Sequence, residues 1–377
     1  MPGNHERALD ALSRRGRLRA LEPAHGIDFS SNDYLGLAQS HELAAAIEAA
    51  IARGVPVGAG GSRLLRGNHP EHELLEQEAA LFFGGETALY FGGGFVANTA
   101  ILSTLPARGD LIVYDELIHA SAHDGMRLSK AEARPARHND AQSFEDAISA
   151  WRDAGGTGQP WIAVESLYSM DGDRAPIHAL SDIADRHDAM LVIDEAHATG
   201  VWGHEGRGLA SDLEGRDNVI TLHTCGKALG SMGALVIGPK PIRDFLVNRG
   251  RAFIYATAPS PLMAAAVRAA LDICRRQPER RERLHRLVDF AARELRSKTR
   301  FVSSGSQIQP LIIGSDAAAV SLAAAMKRRG YDIRAIRPPT VPEGTSRLRL
   351  TITLNVDETL IGRLIDDIAT AEAETAA

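Results

Sequence analysis

The middle of the chain alternates between short apolar runs rich in β-branched residues and longer, more polar segments with helical spacing. Strands of a parallel sheet are covered on both faces, so they read as nearly continuous apolar runs. The runs that we expect to be strands are Thr87–Phe91, Leu111–Tyr114, Trp161–Glu165, Met190–Asp194, Val219–His223 and Ala234–Ile237. This alternation predicts an α/β fold whose large domain has a mostly parallel sheet flanked by helices.

The pattern changes after Pro261. Residues 264–296 have the spacing of one long helix or two, and we interpret their charged stretch Arg275–Arg286 as a solvated helix face. Two alternating, strand-like runs follow, Gln307–Ile313 and Ser346–Leu354, with helices between and after them. We therefore expect an N-terminal helix and loop over residues 1–40, a large α/β domain over 41–260 and a smaller α+β C-terminal domain over 261–377.

Composition narrows the class of protein. The 377 residues include 42 basic and 48 acidic side chains, a net charge of −6, which gives no general affinity for nucleic acid or anionic membranes. Two cysteines, Cys225 and Cys274, are too few for a disulfide scaffold and favour a reducing compartment. The charged N-terminal residues have no apolar core behind them, so we expect no secretory signal, and no apolar run approaches the roughly 20 residues needed to cross a membrane. A cytoplasmic protein without nucleic-acid or membrane partners is expected.

Candidate chemistry follows the predicted strands, because ligands of such sheets bind beyond the carboxyl ends of the strands. The side chains that would reach this edge are His119, Ser169, Asp194, His197 and Lys227. A lone lysine is usually solvated and a lone aspartate often caps a helix, so each position alone carries little weight. The combination at one edge of one sheet is much more informative.

A glycine turn, Gly92–Gly94, follows the first strand. Such a turn lets backbone N–H groups and a helix N-terminus face an anion, although a plain tight turn is the alternative reading. The Rossmann pattern and a Walker lysine are both missing there, and GxSxG, the signature of α/β hydrolases, is missing from the chain. His69 and His72 form an HxxH, which we expect at the exposed start of a helix; without HExxH or paired cysteines, no metal site is predicted.

The set of side chains matches the needs of pyridoxal 5'-phosphate (PLP). A lysine forms the Schiff base with the aldehyde, and an aspartate keeps the pyridine nitrogen protonated so that the ring can accept electrons. A histidine can stack on the ring, and hydroxyl groups can hold the phenolic oxygen and the phosphate. The sequence therefore predicts PLP as the cofactor.

At these positions the chain resembles the α-oxoamine synthases, within the aspartate-aminotransferase-like superfamily of PLP enzymes. The matching motifs run in order along almost the whole chain. They are Ser30–Leu37, Gly60–Arg63, Gly94–Phe95, His119–Ser121, Ser169–Asp173, Asp194–Gly200, Gly226–Lys227, Ile336–Pro342 and Arg347–Thr351.

The resemblance implies a role for each site residue. Lys227 would be the Schiff-base lysine, Asp194 would pair with the pyridinium nitrogen, and His197 would donate to the phenolic oxygen. His119 would stack on the ring and complete the catalytic set. The further residues that would seat the cofactor are Gly94, Phe95, Ser169 and Thr224, and those on the substrate side are Arg19, Asn32, Thr340 and Arg349. Arg14, Arg15 and Arg17 stay open as alternatives to Arg19.

Enzymes of this family condense an amino acid with an acyl thioester and lose CO2. They build their sites at a homodimer interface, where Gly58–Arg63 is the candidate segment reaching the neighbouring site. The Ile336–Pro342 segment looks most like the enzymes that join L-alanine to pimeloyl-CoA or a pimeloyl carrier protein in biotin biosynthesis. Enzymes that join glycine to succinyl-CoA are the nearest alternative. An aminotransferase and a non-catalytic PLP-fold protein used for binding or regulation are more distant ones.

Overall fold

A computed structural model describes residues 2–376, with the side chains of residues 3–374. The helices are α1 (Pro2–Arg14), α2 (His41–Ala52), α3 (Pro70–Phe83), α4 (Gly94–Thr104), α5 (Ala120–Leu128), α6 (Ala141–Asp153), α7 (Ile177–Arg186), α8 (Lys240–Arg249), α9 (Arg251–Ile254), α10 (Pro261–Arg276), α11 (Pro278–Lys298), α12 (Asp316–Arg328) and α13 (Glu358–Ala376). The strands are β1 (Ile27–Asp28), β2 (Thr87–Phe91), β3 (Leu111–Asp115), β4 (Glu132–Ala136), β5 (Pro160–Glu165), β6 (Met190–Asp194), β7 (Val219–Thr224), β8 (Ala234–Gly238), β9 (Ile308–Gly314), β10 (Tyr331–Asp332), β11 (Arg334–Ile336) and β12 (Ser346–Thr351).

The large sheet has seven strands in the order β2-β8-β7-β6-β5-β3-β4. The pairs from β7 to β4 are parallel, whereas β8 runs antiparallel to both of its neighbours, β2 and β7. The predicted α/β fold with a mostly parallel sheet is therefore confirmed, and each of the six predicted strands is present with its ends within one residue of the prediction.

Alternate residues of the central strands enter two different cores. In β5, Trp161 and Ala163 join the apolar cluster that contains residues of α4 and α5. Ile162 and Val164 point the other way and join the cluster that contains residues of α6 and α7. Because successive side chains of a strand point to opposite faces, a sheet covered on both sides needs apolar residues at every position. This is why the strands read as continuous apolar runs.

The edge strand β4 was missed by the sequence pattern. Its sequence, Glu132 to Ala136, contains two charged residues and Pro135, and most of its side chains are exposed. A proline is tolerated at an edge because its missing N–H is not needed by a second neighbour. Such a strand carries almost no hydrophobic signal.

The C-terminal part of the chain contains a three-stranded antiparallel sheet in the order β11-β12-β9. Its strands β9 and β12 correspond to the two predicted alternating runs, with α12 between them and α13 after them. The long helical stretch is two helices, α10 and α11, which are separated at Gln277 before Pro278. Most charged side chains of Arg275–Arg286 are exposed, as expected of a solvated face.

The chain divides into two compact units. The first contains residues up to Tyr34, Ser169–Asp173 and residues from Glu282 onward, and the second contains Leu35–Tyr168 and Arg174–Arg281. Helix α10 is thus grouped with the large sheet; the domain boundaries given by the sequence pattern stay a prediction. None of the helices within residues 2–376 has both the length and the apolar composition that crossing a membrane requires.

Candidate active site

Asp194 is the last residue of β6, and its carboxylate is buried, with 7% of the residue exposed. It lies on the same face of the strand as Val192, which packs in the cluster with α4. Asn98 Nδ2 of α4 donates to Asp194 Oδ2 at 2.7 Å, and the backbone N–H of Ala196 donates to Oδ1 at 2.9 Å. A buried carboxylate needs such partners, and here each oxygen has one.

Lys227 follows β7 in a tight turn. The Gly230 N–H donates to the Lys227 carbonyl at 2.9 Å, and the half-buried side chain brings Nζ to 3.5 Å from Thr224 Oγ1. The Thr224 hydroxyl in turn donates to the carbonyl of Ala196 at 3.2 Å. Ala196 therefore joins the end of β7 to the Asp194 end of β6, and the lysine and the aspartate are delivered to one edge of the sheet.

His119 is the N-cap residue of α5, and its Nδ1 accepts the N–H of Ser121 at 3.2 Å. The residue as a whole is exposed. The surrounding protein disfavours the charged imidazolium and lowers the pKa of His119; the charge of Asp194 opposes this shift and that of Lys227 adds to it. The predicted histidine, aspartate and lysine thus lie within electrostatic range of one another.

The predicted glycine turn leads directly into α4, which begins at Gly94. A Cβ at Gly94 would lie 2.6 Å from Thr224 Cγ2, so only glycine allows the start of α4 to approach the end of β7 this closely. The first N–H groups of a helix lack intrahelical acceptors and favour an anion. Phe95 is the next residue, with 50% of its surface exposed. The turn therefore offers backbone donors beside Thr224.

Two other predicted cofactor residues are buried. His197 lies three residues after Asp194, in the turn that follows β6. Ser169 belongs to the other compact unit, where its carbonyl accepts a hydrogen bond from Arg349 Nε at 2.6 Å. Ser169 is therefore described with the residues of that unit.

Arg349 of β12 is buried in the first unit and has well-defined partners. Besides the bond to Ser169, Nη1 donates to Thr351 Oγ1 at 2.9 Å and Nη2 donates to Asn32 Oδ1 at 3.0 Å. Within the described residues these bonds use three of the five N–H groups of the guanidinium and leave one on each terminal nitrogen. Two such donors are what a carboxylate ligand takes from an arginine.

Arg347, two residues earlier on the same face of β12, was not predicted as a site residue. Its Nη1 donates to the carbonyl of Met170 at 3.2 Å and pairs with Asp171. Together with Arg349, it fixes the segment that carries Ser169 at two points. The only sequence signal was a pair of arginines two positions apart in an otherwise uncharged strand.

Arg17 and Arg19, two of the candidate substrate arginines near the N-terminus, have different side-chain partners. Arg17 pairs with Asp316 and, through both terminal nitrogens, with Glu343. Arg19 Nη2 instead donates to Thr340 Oγ1 at 3.1 Å, so two predicted substrate residues contact each other. Arg17, Arg19, Thr340 and the segment from Ala335 to Pro338 line a cavity of about 190 Å³. Arg14 and Arg15 are exposed and do not line this cavity. The choice of Arg19 as the substrate arginine stays a prediction.

The HxxH pair has a structural role. His69 caps α3, and His72 is fully buried rather than exposed, with Nε2 at 2.8 Å from the carbonyl of Pro259. The expectation of an exposed helix start was wrong for His72 because this face of α3 packs against the segment that leads into α10. Among the described residues, no three His, Cys, Asp or Glu side chains form a group that could hold a metal ion.

The comparisons with known proteins agree with this geometry. The family model "Aminotransferase class I and II" matches residues 24–368. An 8-amino-7-oxononanoate synthase from Chromobacterium violaceum is 42% identical over 95% of this chain and 96% of its own length.

Solved structures give the same result. An 8-amino-7-oxononanoate synthase from Francisella tularensis has a TM-score of 0.77 at 28% identity, covering 93% of this chain and 99% of its own. A serine palmitoyltransferase from S. paucimobilis, 24% identical, has a TM-score of 0.90 over 99% of this chain and 98% of its own, which shows the fold. The predicted PLP-dependent transferase fold and the resemblance to the α-oxoamine synthases are confirmed. The chain therefore belongs to the class I and II aminotransferase family and, within it, to the 8-amino-7-oxononanoate synthases.

Proposed function

We propose that this protein is a PLP-dependent acyltransferase that condenses L-alanine with a pimeloyl thioester, of CoA or of a carrier protein. The products are 8-amino-7-oxononanoate, the free thiol and CO2, and the reaction belongs to biotin biosynthesis. The name of the Chromobacterium violaceum relative supports the assignment. The single observation that carries it is the delivery of Asp194, His119 and Lys227 to one edge of a parallel sheet, within electrostatic range of each other.

The residues at this edge fit PLP. A buried carboxylate whose two oxygens are already held suits a protonated ring nitrogen, and the exposed imidazole of His119 suits stacking on a ring. The start of α4, which lies against Thr224, offers backbone donors to a phosphate. We propose that Gly94, Phe95, Thr224 and Ser169 help to seat the cofactor and that His197 donates to its phenolic oxygen. When bound, PLP supplies an aldehyde carbon for amines and a protonated ring that withdraws electrons from the α-carbon of the amino acid.

The catalytic roles follow from the chemistry of the side chains. Lys227 Nζ holds the cofactor between turnovers and, once released, takes the α-proton of alanine and later returns a proton to the product. Asp194 holds the proton on the ring nitrogen throughout. His119 orients the ring by stacking on its face. No metal ion takes part in this scheme.

We assign substrate roles to Arg349, Asn32, Arg19 and Thr340. Arg349 binds the carboxylate of alanine through its two remaining N–H groups, and Asn32, which accepts from Arg349, orients it. Arg19 and Thr340 bind the acyl substrate. Their cavity is also lined by Arg337 and by Arg17, whose charge is balanced by Asp316 and Glu343. The cationic groups of Arg19 and Arg337 suit the distal carboxylate of a pimeloyl group.

The homodimer, with Gly58–Arg63 reaching the neighbouring site, and the cytoplasmic location are further parts of the proposal and stay predictions. The nearest alternative is a 5-aminolevulinate synthase, which uses glycine and succinyl-CoA. An aminotransferase would need no thioester and would form pyridoxamine phosphate when an amino-group donor is added. A non-catalytic binding protein is disfavoured because Lys227, Asp194 and His119 are all present.

The proposal is tested by thiol release from pimeloyl-CoA in the presence of PLP and L-alanine, with the product identified by mass spectrometry. We expect thiol release that depends on both substrates, and a product with the mass of 8-amino-7-oxononanoate. If thiol is released only with another amino acid and acyl thioester, the assignment within the family is wrong. If pyridoxamine phosphate forms and no thiol is released, the protein is an aminotransferase.

A further inference from the structure

A continuous set of hydrogen bonds joins His119 to Asp194 through two side chains that touch neither substrate nor cofactor in the scheme above. His119 Nδ1 lies 2.7 Å from Ser121 Oγ, Asn98 Nδ2 lies 3.0 Å from the same Oγ, and Asn98 Nδ2 lies 2.7 Å from Asp194 Oδ2. Asn98 and Ser121 are buried, with 4% and 0% of each residue exposed. These four residues are called the His119–Asp194 network below.

The direction of each bond in the network follows from what each group can donate. The carboxylate of Asp194 accepts only, so Asn98 presents its NH2 group and donates to both Asp194 and Ser121. The Ser121 oxygen accepts from Asn98, and its own proton is therefore left for His119 Nδ1. The backbone N–H of Ser121 also points at Nδ1, at 3.2 Å.

Two donors that point at one imidazole nitrogen require that nitrogen to carry a lone pair. His119 is then neutral, with its single proton on Nε2. The charged groups that act on it are Asp194 at the end of β6 and Lys227 after β7, and the titratable neighbour on α5 itself is His123, whose pKa is also lowered by burial. Protonating Nδ1 would set three donors against each other, which agrees with the lowered pKa of this histidine.

Asn98 is a buried polar residue among apolar residues of α4, which indicates that the network does more than fill the core. Its buried neighbours on the helix, Ala97, Ala100, Ile101 and Leu102, are all apolar and belong to the core cluster. A buried amide in such a helix costs free energy unless its partners are in place. Both described partners of its NH2 group are side chains of the network, and Asn98 lies one helical turn after Gly94, beside the proposed phosphate site.

We propose that Asn98 and Ser121 are positioning residues, which fix the neutral Nε2–H form and the ring plane of His119 and, in the same network, the orientation of the Asp194 carboxylate. The imidazole that would stack on the cofactor ring and the carboxylate that would pair with the ring nitrogen are thereby oriented before the cofactor binds. This inference rests on the proposed function only in taking PLP as the ligand of the site.

The first test is the protonation state of His119 in the purified protein, with and without PLP. Histidine-selective 15N labelling gives the imidazole shifts, and the signal that disappears in His119→Gln identifies the residue. We expect a protonated Nε2 and an unprotonated Nδ1 at neutral pH. A proton on Nδ1, or a charged ring at neutral pH, would overturn the proposal, whatever any variant does.

The second test uses matched serine variants. Ser121→Ala removes the hydroxyl that donates to Nδ1, so the pKa of His119 should rise toward its ordinary value and the tautomers should mix. Ser121→Thr retains a hydroxyl and should preserve the wild-type shifts. Ser129→Ala, at the other end of the same helix, removes a hydroxyl that accepts from the Ala131 N–H and should change nothing at His119. Identical His119 shifts and pKa in Ser121→Ala and wild type would contradict the role of Ser121.

The third test is the affinity for PLP, followed by fluorescence titration of protein from which the cofactor has been removed. Asn98→Ala leaves one oxygen of Asp194 without its donor, and we expect affinity to fall about tenfold to a hundredfold, the usual effect of a lost hydrogen bond to a charged group. Affinity within twofold of wild type would refute the role of Asn98. These readouts need neither alanine nor a thioester, so a failed synthase assay leaves them valid, and their failure leaves the proposed reaction standing.

Discussion

At the scale of single residues, Lys227 is the group on which the proposed chemistry depends most. It lies half-buried in a turn after β7, where Nζ is 3.5 Å from Thr224 Oγ1, and a half-buried residue in a turn adds little to core packing. Lys227→Ala should therefore abolish turnover while the protein still folds. Turnover and thermal unfolding of the purified variant measure both effects, and Lys240→Ala, an exposed lysine on α8, is the matched control. Near-normal turnover in Lys227→Ala would rule this lysine out as the base.

The role of Asp194 in keeping the cofactor ring electron-withdrawing can be tested with a nearly isosteric substitution. In Asp194→Asn the amide no longer keeps the ring nitrogen protonated, and we expect kcat to fall by at least about 10²-fold, equivalent to ~2.7 kcal/mol. Asp182→Asn, an exposed position on α7, controls for the loss of one negative charge. A loss of less than threefold in steady-state assays would contradict the role of Asp194.

The sequence predicts a site residue only where that residue lies at a recognisable position, such as the end of an apolar run. His119, Asp194 and Lys227 each follow an apolar run, and parallel strands bring such positions to one edge. Asn98 and Arg347 act through side-chain contacts with segments distant in sequence, and no pattern along the chain records those contacts. Arg19 and Thr340 entered only through the family resemblance.

At the scale of elements, the segment proposed for the dimer interface is anchored at one end by a buried ion pair. Arg63 donates through both terminal nitrogens to Glu76 of α3, at 2.8 and 3.0 Å, and both side chains are 8% exposed. Glu76 also accepts a hydrogen bond from the backbone N–H of Tyr90 in β2. The pair therefore joins this segment to α3 and β2.

Breaking that pair on one side should be costly. In Arg63→Met the Glu76 carboxylate stays buried without its cation, and we expect the free energy of unfolding to fall by about 3–5 kcal/mol. The double variant Arg63→Met/Glu76→Gln removes the buried charge, keeps an acceptor for Tyr90 and should recover part of the loss. Denaturant unfolding measures both, with the exposed Arg66→Met as control. A loss below 1 kcal/mol in Arg63→Met would contradict the account of this anchor.

The start of α3 should make stability depend on pH. His72 Nδ1 accepts the N–H of His69, and burial, with repulsion from Arg63, lowers the pKa of His72. The unfolded chain then binds more protons below the ordinary histidine pKa of about 6.5, so stability is full above that pH and falls as pH drops toward the lowered pKa. His119 and His123, whose pKa values are also lowered, add to the same trend.

His72→Gln should weaken this trend, because glutamine does not titrate and can still donate to the Pro259 carbonyl. Denaturant unfolding between pH 5 and 7 should give a smaller slope than wild type, by at most about 1.4 kcal/mol per pH unit, the limit for one proton. His5→Gln, on the exposed face of α1, should keep the wild-type slope. Equal slopes in His72→Gln and wild type would show that this histidine is not the titrating group.

Elements were predictable where burial makes the pattern strong. Strands β2, β3, β5, β6, β7 and β8 are covered on both faces and give long apolar runs, whereas the edge strand β4 has charged, exposed side chains and a proline. Helices α10 and α11 were predicted as one or two because the break at Gln277 lies within a continuous helical pattern, and Pro278, which can begin a helix, does not by itself decide between them.

At the scale of the whole molecule, the central claim is the choice of substrates. A pocket that admits alanine cannot exclude glycine by size and can favour alanine only through contact with one methyl group. That contact is worth about 1–3 kcal/mol, or ~10–200-fold. The acyl chains differ more, because succinyl lacks methylenes that a pimeloyl group can bury and is too short to place its carboxylate at the same cationic site.

The measurement that tests this claim most directly is kcat/KM for alanine and for glycine, each with pimeloyl-CoA and with succinyl-CoA. We expect alanine with pimeloyl-CoA to give the highest value and glycine with pimeloyl-CoA to be lower by ~10–200-fold but measurable. Both reactions with succinyl-CoA should be slower still. If glycine with succinyl-CoA gives a higher kcat/KM than alanine with pimeloyl-CoA, the protein is a 5-aminolevulinate synthase, and the proposed substrate assignment is wrong.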